Sequence, residues 1–436
     1  MTISSIAKKL IGVNRCKIEN IDIETEVGVE RLVIKASPYK CDRYRCSICG
    51  RKAPKYDKGK GIRRWRALDI GNSIPVYVES EAPRVECPEH GIVVSQVPWA
   101  RHGSGFTKNM EDSAVWLSLY MNRKAVSEYL RVKWETVGSI IRRSVKELSA
   151  GTDRFDDLVN IGIDETSYKK GHKYLTVVVN HDTNTVVWVG IGFGKTVLES
   201  FFELLTDKQK ANIKAASGDG AGWIKETVEA NCPNAIFCID PFHVVSWVTD
   251  ALDQVRKEEW NDARKKLYEE KKLIKAGKAG PKDSAETEQL VKSIKSSKYP
   301  LLMNPEHLSE EYSAKLDMIL LHDRRLATAY RLKEELRLIF KLPPEEVSAA
   351  INKWRRRAWS CRIPQFVELQ RKIRRHKKAI IAAITLGLSN ARIEATNNKI
   401  KLSIRMAYGF RNLDNLKAMI MLRCGGFEVS LPGRAA

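Results

Sequence analysis

Two groups of residues have the types and spacing to do chemistry. Cys46-Ser-Ile-Cys49 and, further on, Cys87-Pro-Glu-His90 make a C-x2-C…C-x2-H pattern. Two close pairs of thiolate and imidazole ligands, each on a tight turn, can close a tetrahedral zinc site. Four protein ligands leave no open position for water, so the expected role is structural, with buried free thiols as the alternative. Cys41 stands nearby as either a further ligand or a core thiol.

The second group is made of carboxylates. Asn160-Ile-Gly-Ile-Asp164 reads as an apolar strand ending on an acid, and Ala215-Ala-Ser-Gly-Asp219-Gly as another, ending among glycines that let other backbone or a substrate approach closely. If these strands are neighbours in one sheet, both acids enter one crevice, where they repel unless protonated or bridged by a divalent cation. Mg2+ held by one or two carboxylates and substrate phosphates is the usual arrangement. A third acid, Glu394, lies in a helical stretch whose spacing puts Asn397, Asn398, Lys401 and Arg405 on its face. A carboxylate beside phosphate-seeking groups suits two-metal phosphoryl chemistry.

The elements that must position these residues change character along the chain. The N-terminus leads into a polar, strand-like segment with no export signal. Residues 1–100 read as a small zinc-binding β module of short alternating runs broken by Gly, Pro and Asn. The loop between the ligand pairs carries Arg51, Lys52, Lys55, Lys58, Lys60, Arg63, Arg64 and Arg66 with Trp65 among them, either a solvated face or a contact for DNA phosphates. Within 101–150, apolar residues recur at helical spacing with a break near Val132, which predicts three helices ending in a helix-turn-helix. Its second helix would present Lys133, Glu135, Thr136, Ser139 and Arg143 to a major groove. Residues 155–245 alternate strand and helix as a mixed α/β domain; 246–385 are charged, amphipathic and helical; 386–430 return to a helix-rich segment with the motif around Glu394.

Composition narrows the partner. Against 75 Lys and Arg stand 53 Asp and Glu, a net charge of +22 over 436 residues, which favours a polyanion. With 43% hydrophobic residues the chain is too apolar for disorder, and its apolar runs are too short to span a membrane. Nine cysteines in so long a chain do not make a disulfide scaffold. Trp354-Arg-Arg-Arg-Ala-Trp359 and Arg371-Lys-Ile-Arg-Arg-His-Lys-Lys378 are basic runs, the first with aromatics that would stack on a splayed base. Lys265 to Lys298, with Gly277-Lys-Ala-Gly-Pro281 inside it, reads as a hairpin tip or partner contact.

The order Gly162-Ile-Asp164-Glu165, Lys170-Gly-His-Lys-Tyr174, Gly218-Asp219, Asp240-Pro-Phe-His243 and Ser389-Asn-Ala-Arg-Ile-Glu394-Ala-Thr-Asn-Asn-Lys399, closing on Ala407-Tyr-Gly-Phe-Arg-Asn412, resembles the DDE transposases of bacterial insertion sequences, and most of all the ISL3 family. The resemblance covers nearly the whole chain. It implies a multidomain α/β protein: a zinc finger, a helix-turn-helix and a ribonuclease-H-like catalytic core interrupted by a helical insertion. It implies Asp164, Asp219 and Glu394 as catalytic triad and Mg2+ (or Mn2+) ligands, structural zinc on Cys46, Cys49, Cys87 and His90, and double-stranded DNA, both element ends and target, as substrate. Asp240 and His243 resemble an acid-x-x-His signature near such sites, so Asp240 competes with Asp219 for the metal. A cysteine is common where His90 stands. A cytoplasmic, nucleoid-associated protein, acting as a dimer or larger assembly because two ends must be joined, is the expectation. The alternatives are a DNA-binding regulator on a degenerate core and a nuclease without strand transfer.

Overall fold

In this computed structural model every residue is described except 1, 27, 72, 152, 278–279, 281–283, 389–390 and 434–436. The chain divides into two units, Met1–Arg154 with Asn398–Ala436, and Phe155–Asn397. The expected hairpin tip around Gly277 to Pro281 lies partly outside the described residues, as do Ser389 and Asn390.

The first unit begins with a helix ahead of the expected strand-like segment. Helix α1 (Ile3–Ile11) starts on Thr2, whose hydroxyl accepts from the Ser5 amide, and stops at Gly12 with φ 71°. It buries Ala7 and Ile11 in a core with Ile34, Val78 and Trp99. Strands follow: β1 (Cys16–Glu26), β2 (Val29–Pro38), β3 (Lys55–Asp57), β4 (Ile62–Arg66), β5 (Val76–Glu81), β6 (Arg84–Cys87) and β7 (Gly91–Val94). They form two sheets, β1-β2-β5-β4 and β3-β6-β7. The basic loop is therefore partly strand. Trp65 is buried edge-to-face on Trp99 at 5.7 Å, which removes it from any DNA-contacting role. Arg64 is held by Glu24 and Glu79, Arg66 by Asp69 and Arg51 by Glu89, whereas Lys52, Lys58 and Lys60 are exposed.

Three helices follow as expected, α2 (Lys108–Tyr120), α3 (Arg123–Leu130) and α4 (Trp134–Ala150). The turn between α3 and α4 puts Arg131 at φ 51° and is closed by Ser127 Oγ donating to the Val132 carbonyl at 2.5 Å. Met110, Val115, Val126, Val137 and Ile141 form the core of this bundle.

The second unit is built on a five-stranded sheet of β8 (Asn160–Lys169), β9 (Lys173–Asn180), β10 (Thr185–Ile191), β11 (Ala215–Gly218) and β12 (Ile236–Ile239), in the order β10-β9-β8-β11-β12. The pairs β10–β9 and β9–β8 are antiparallel; β8–β11 and β11–β12 are parallel. Between β10 and β12 lie α5 (Lys195–Phe202), α6 (Asp207–Asn212) and α7 (Gly222–Asn231). The helical stretch then starts earlier than expected. Asp240 caps α8 (Pro241–Lys275), with proline at its first turn, where a missing N–H is no loss. Helices α9 (Ala285–Ser296), α10 (Lys298–Leu302), α11 (Glu310–His322), α12 (Arg324–Ile339), α13 (Pro344–Ser360) and α14 (Pro364–Thr385) complete it. Trp354 is fully buried with its indole N–H on the Leu332 carbonyl at 2.8 Å, so it is a core residue and not the expected stacking platform. Trp359 is exposed, with Arg371 over its ring. No described helix is long and apolar enough to cross a membrane.

Helices α15 (Ala391–Met406) and α16 (Leu413–Cys424) end the chain, and the division between units falls inside α15, between Asn397 and Asn398. The expected single segment 386–430 is thus shared: α16 packs on α4, with Ala418, Met419 and Leu422 in the helix-turn-helix core.

Two positions report how tightly these elements are set. A Cβ on Gly162 would collide with Ile393 Cδ1. Gly162→Ala is expected to lower stability by about 1–3 kcal/mol, and Ile393→Val, which removes the colliding atom, to restore part of it in a denaturant midpoint. Glu111, fully buried, accepts from Ser104 Oγ at 2.7 Å, Arg143 Nε at 3.0 Å and Arg101 Nη1 at 3.3 Å. Glu111→Ala leaves the Arg143 guanidinium without its buried carboxylate, while Arg101 keeps Asp112 and Glu147, and should cost about 3–5 kcal/mol in the same measurement.

Candidate active site, zinc cluster and DNA-reading helix

The Cys/His set is assembled by two turns. Cys46 and Cys49 lie on a turn closed by the Gly50 amide donating to the Cys46 carbonyl at 2.9 Å, with Gly50 at φ 73°. Cys87 ends β6, and His90 sits in the hairpin before β7. All four donor atoms lie within 4.8 Å of one another. Cys49 Sγ is 3.7 Å from Cys87 Sγ, and His90 Nδ1 is 3.8 Å from Cys46 Sγ and 3.6 Å from Cys87 Sγ. A tetrahedral ion with bonds of about 2.3 Å to sulfur has sulfur–sulfur edges of about 3.8 Å, so the residues fit zinc. The Cys87 thiol is drawn down to about 6, first by His90 and then by turn amides, which favours the thiolate a metal takes. Cys41 is exposed, outside the set and beside Arg15.

On α4, Lys133 and Glu135 are exposed and Thr136 is half-buried at its first turn. Ser139 spends its hydroxyl on the Glu135 carbonyl and accepts from Arg142. Arg143, expected to face a groove, instead turns inward to Glu111, because a fully buried carboxylate draws in the nearest cations. On α15, Asn398, Lys401 and Arg405 are exposed.

The carboxylates converge through sheet register. Ser217 pairs with Gly162 across β11 and β8, so two residues on, just past the end of that ladder, Asp219 and Asp164 stand level and on the same face. Asp164 does not end its strand: β8 continues to Lys169, paired only with β9, which leaves its other edge open beside Asp164. The hairpin after it is the expected basic turn, with Gly171 and His172 at φ 85° and 56°.

Two helices cover that face. Ile393 of α15 fills the space Gly162 leaves, and one turn on, Asn397 Nδ2 donates to Asp164 Oδ2 at 2.6 Å. Glu394, exposed, is the residue after Ile393 in the first turn. Helix α14 lays Ala383 against Ala215 and Cys238. Beneath the acids, His181 Nε2 and Ser217 Oγ share a buried hydrogen bond of 2.7 Å.

Burial holds the Asp164 carboxyl above its ordinary range, opposed by the Glu165 amide, His243 and Asn397 and reinforced by Asp219. Glu165 is raised by burial and then by Asp219. Asp164, Glu165, Asp219 and His243 thus lie within electrostatic reach of one another. Asp240 is only 3% exposed, and its carboxylate accepts from the Phe242 amide at 2.7 Å as the cap of α8. Among the described residues Glu165 Oε1 and Asn397 Oδ1, both buried, have no hydrogen-bond partner. Hard, unsatisfied oxygens beside crowded acids fit a magnesium-type cation. Among the described residues the triad's donor atoms are not gathered as closely as the Cys/His set. Glu165 was legible only as the neighbour of Asp164, and Asn397, expected on DNA, is spent on Asp164.

Three family descriptions match successive parts of the chain. A family described as "Transposase" matches residues 161–420, the helix-turn-helix domain of transposase family ISL3 matches 95–145, and the zinc finger of transposases IS204/IS1001/IS1096/IS1165 matches 42–90. The transposase for insertion sequence element IS1557 from Mycobacterium tuberculosis is 45% identical over 433 residues, 98% of this chain and 97% of that protein. The transposase for insertion sequence element IS1001 from Bordetella parapertussis is 26% identical over 374 residues, 84% and 85% of the two. The zinc-finger match encloses all four clustered ligands, and the transposase match encloses Asp164, Glu165, Asp219, Asp240 and Glu394. On this evidence the chain belongs to the ISL3 family of insertion-sequence transposases.

Proposed function

We propose that this protein binds the terminal inverted repeats of its insertion sequence and catalyses Mg-dependent cleavage and strand transfer there. The observation that carries the reading is the level placement of Asp164 and Asp219 past the end of a parallel ladder, with α15 bringing Asn397 onto Asp164 and Glu394 one turn before it. The strand order, three antiparallel strands followed by two parallel ones, supports a ribonuclease-H-like core, with α8 to α14 as a helical insertion before α15.

Asp164, Asp219 and Glu394 would hold Mg2+ (or Mn2+), which when bound neutralises the crowded acids and polarises the scissile phosphate. Asn397 fixes one Asp164 oxygen, and His243 favours the ionised carboxylate. In the first reaction a water oxygen bonds to phosphorus as the P–O3′ bond breaks, releasing a 3′-hydroxyl. In the second that hydroxyl bonds to a target phosphorus and displaces a target 3′-oxygen. Zinc on Cys46, Cys49, Cys87 and His90 would brace the N-terminal module, and Lys133 and Thr136 of α4, with Asn398, Lys401 and Arg405 of α15, would contact the DNA. Joining two ends calls for a dimer or larger assembly acting on bacterial DNA.

Glu394→Gln and Asp164→Asn should each slow cleavage of an end-containing duplex about a thousandfold, roughly 4 kcal/mol in barrier, while gel-shift binding persists. A variant that cleaves normally refutes the triad. Wild-type protein that binds without cutting is a regulator, and one that cuts without producing target-joined DNA is a nuclease. Metal analysis of purified Cys46→Ser protein should show the loss of one zinc per chain; unchanged stoichiometry removes Cys46 from the site.

A further inference from the structure

Helix α14 packs on β12, the neighbour of β11. Its Ala383 sits on Ala215 at the start of β11. The 11 residues back to Lys372 span about 16 Å of helix, and the four from Ala215 to Asp219 about 13 Å of strand. Asp219 is near enough to Lys372 to favour its charge, which puts the ammonium at the Asp219 end of the sheet. There its ammonium lies 3.7 Å from the centroid of the Trp247 ring. Trp247 is itself seated on backbone: a Cβ on Gly220 would lie 2.6 Å from its Cζ2, so only glycine after Asp219 admits the indole.

The cation has no acid of its own. Among the described residues Lys372 makes no hydrogen bond or ion pair, unlike Arg371 with Glu368 or Lys377 with Asn352 on the same helix. Burial disfavours its charge, and Asp219 and Asp250 favour it. Other basic groups gather around the same indole. His376 is 5.8 Å from the Trp247 ring, and Arg375 is exposed beside it. A half-buried ammonium, fixed by an aromatic face and left unpaired among basic neighbours, is arranged for an anion that the protein does not supply.

We infer that Lys372, clamped by Trp247 over Gly220, forms with Arg375 a subsite for a DNA phosphate next to the scissile one, and so fixes the strand's register at Asp219. This rests on the catalytic reading above and names a part of that site. Trp247 acts as a positioning residue: its ring holds the ammonium where a flexible lysine would otherwise sample many rotamers.

The test uses the full-length protein and a duplex carrying the DNA that flanks its own coding region. Lys372→Met keeps the length and removes the charge; Lys372→Arg keeps the charge. For Lys372→Met the slope of log Kd against log salt should fall by about 1, cleavage should slow at least about tenfold, and Lys372→Arg should restore most of both. A single methylphosphonate at one phosphate flanking the cleavage position should slow the wild type but add nothing in Lys372→Met. Trp247→Leu should weaken cleavage with the salt slope kept, which loss of folding would not produce; melting curves of all variants check this. If Lys372→Met matches wild type in slope, or still loses activity with every methylphosphonate, the subsite is overturned. If the wild type never cleaves yet Lys372→Met still lowers the slope, the subsite stands and the catalytic reading falls.

Discussion

Two carboxylates held level on one face of a sheet repel each other, and the architecture of the second unit is organised around keeping them together. The parallel ladder between β8 and β11 stops just short of Asp164 and Asp219, so neither acid spends its backbone neighbourhood on further pairing at that edge. Burial raises both the electrostatic cost and the affinity for a cation, because low dielectric strengthens repulsion and attraction alike. Gly162 is the hinge of the arrangement. Its missing side chain admits Ile393, which seats the first turn of α15 against the sheet and lets Asn397 reach Asp164.

The same face shows how opposite charges are kept useful instead of cancelling. Lys372 lies on an indole and not on a carboxylate, while the Asp219 carboxylate accepts from the nearby Ala221 amide. Had the two paired directly, neither a cation nor a phosphate would find a free partner. By contrast, most basic side chains of α12 and α13 that approach acids are consumed by them, as Arg337 is by Glu306 and Arg357 by Glu335. Charge density in the sequence therefore overstates the number of cations available to DNA.

In the first unit polar fasteners supplement modest hydrophobic cores. The Cys/His set joins two turns around a three-stranded sheet too small to bury much apolar area, where a structural metal would supply cohesion. In the helical bundle Glu111 gathers Arg101, Arg143 and Ser104, linking α2, α4 and the segment before α2. That network turns Arg143 inward.

Local signals in the amino-acid order determined a good deal. The spacing of Cys46, Cys49, Cys87 and His90, the three helices of 101–150 and the alternation of strand and helix over 155–245 depend on periodicity and turn chemistry within a few residues. Long-range packing alone decided the rest. That Trp65 and Trp354 are core residues, that Asn397 serves Asp164, that Asp240 is a helix cap and that Lys372 meets Trp247 all depend on which elements lie against each other. Such contacts join residues up to 233 positions apart, and no local propensity encodes them.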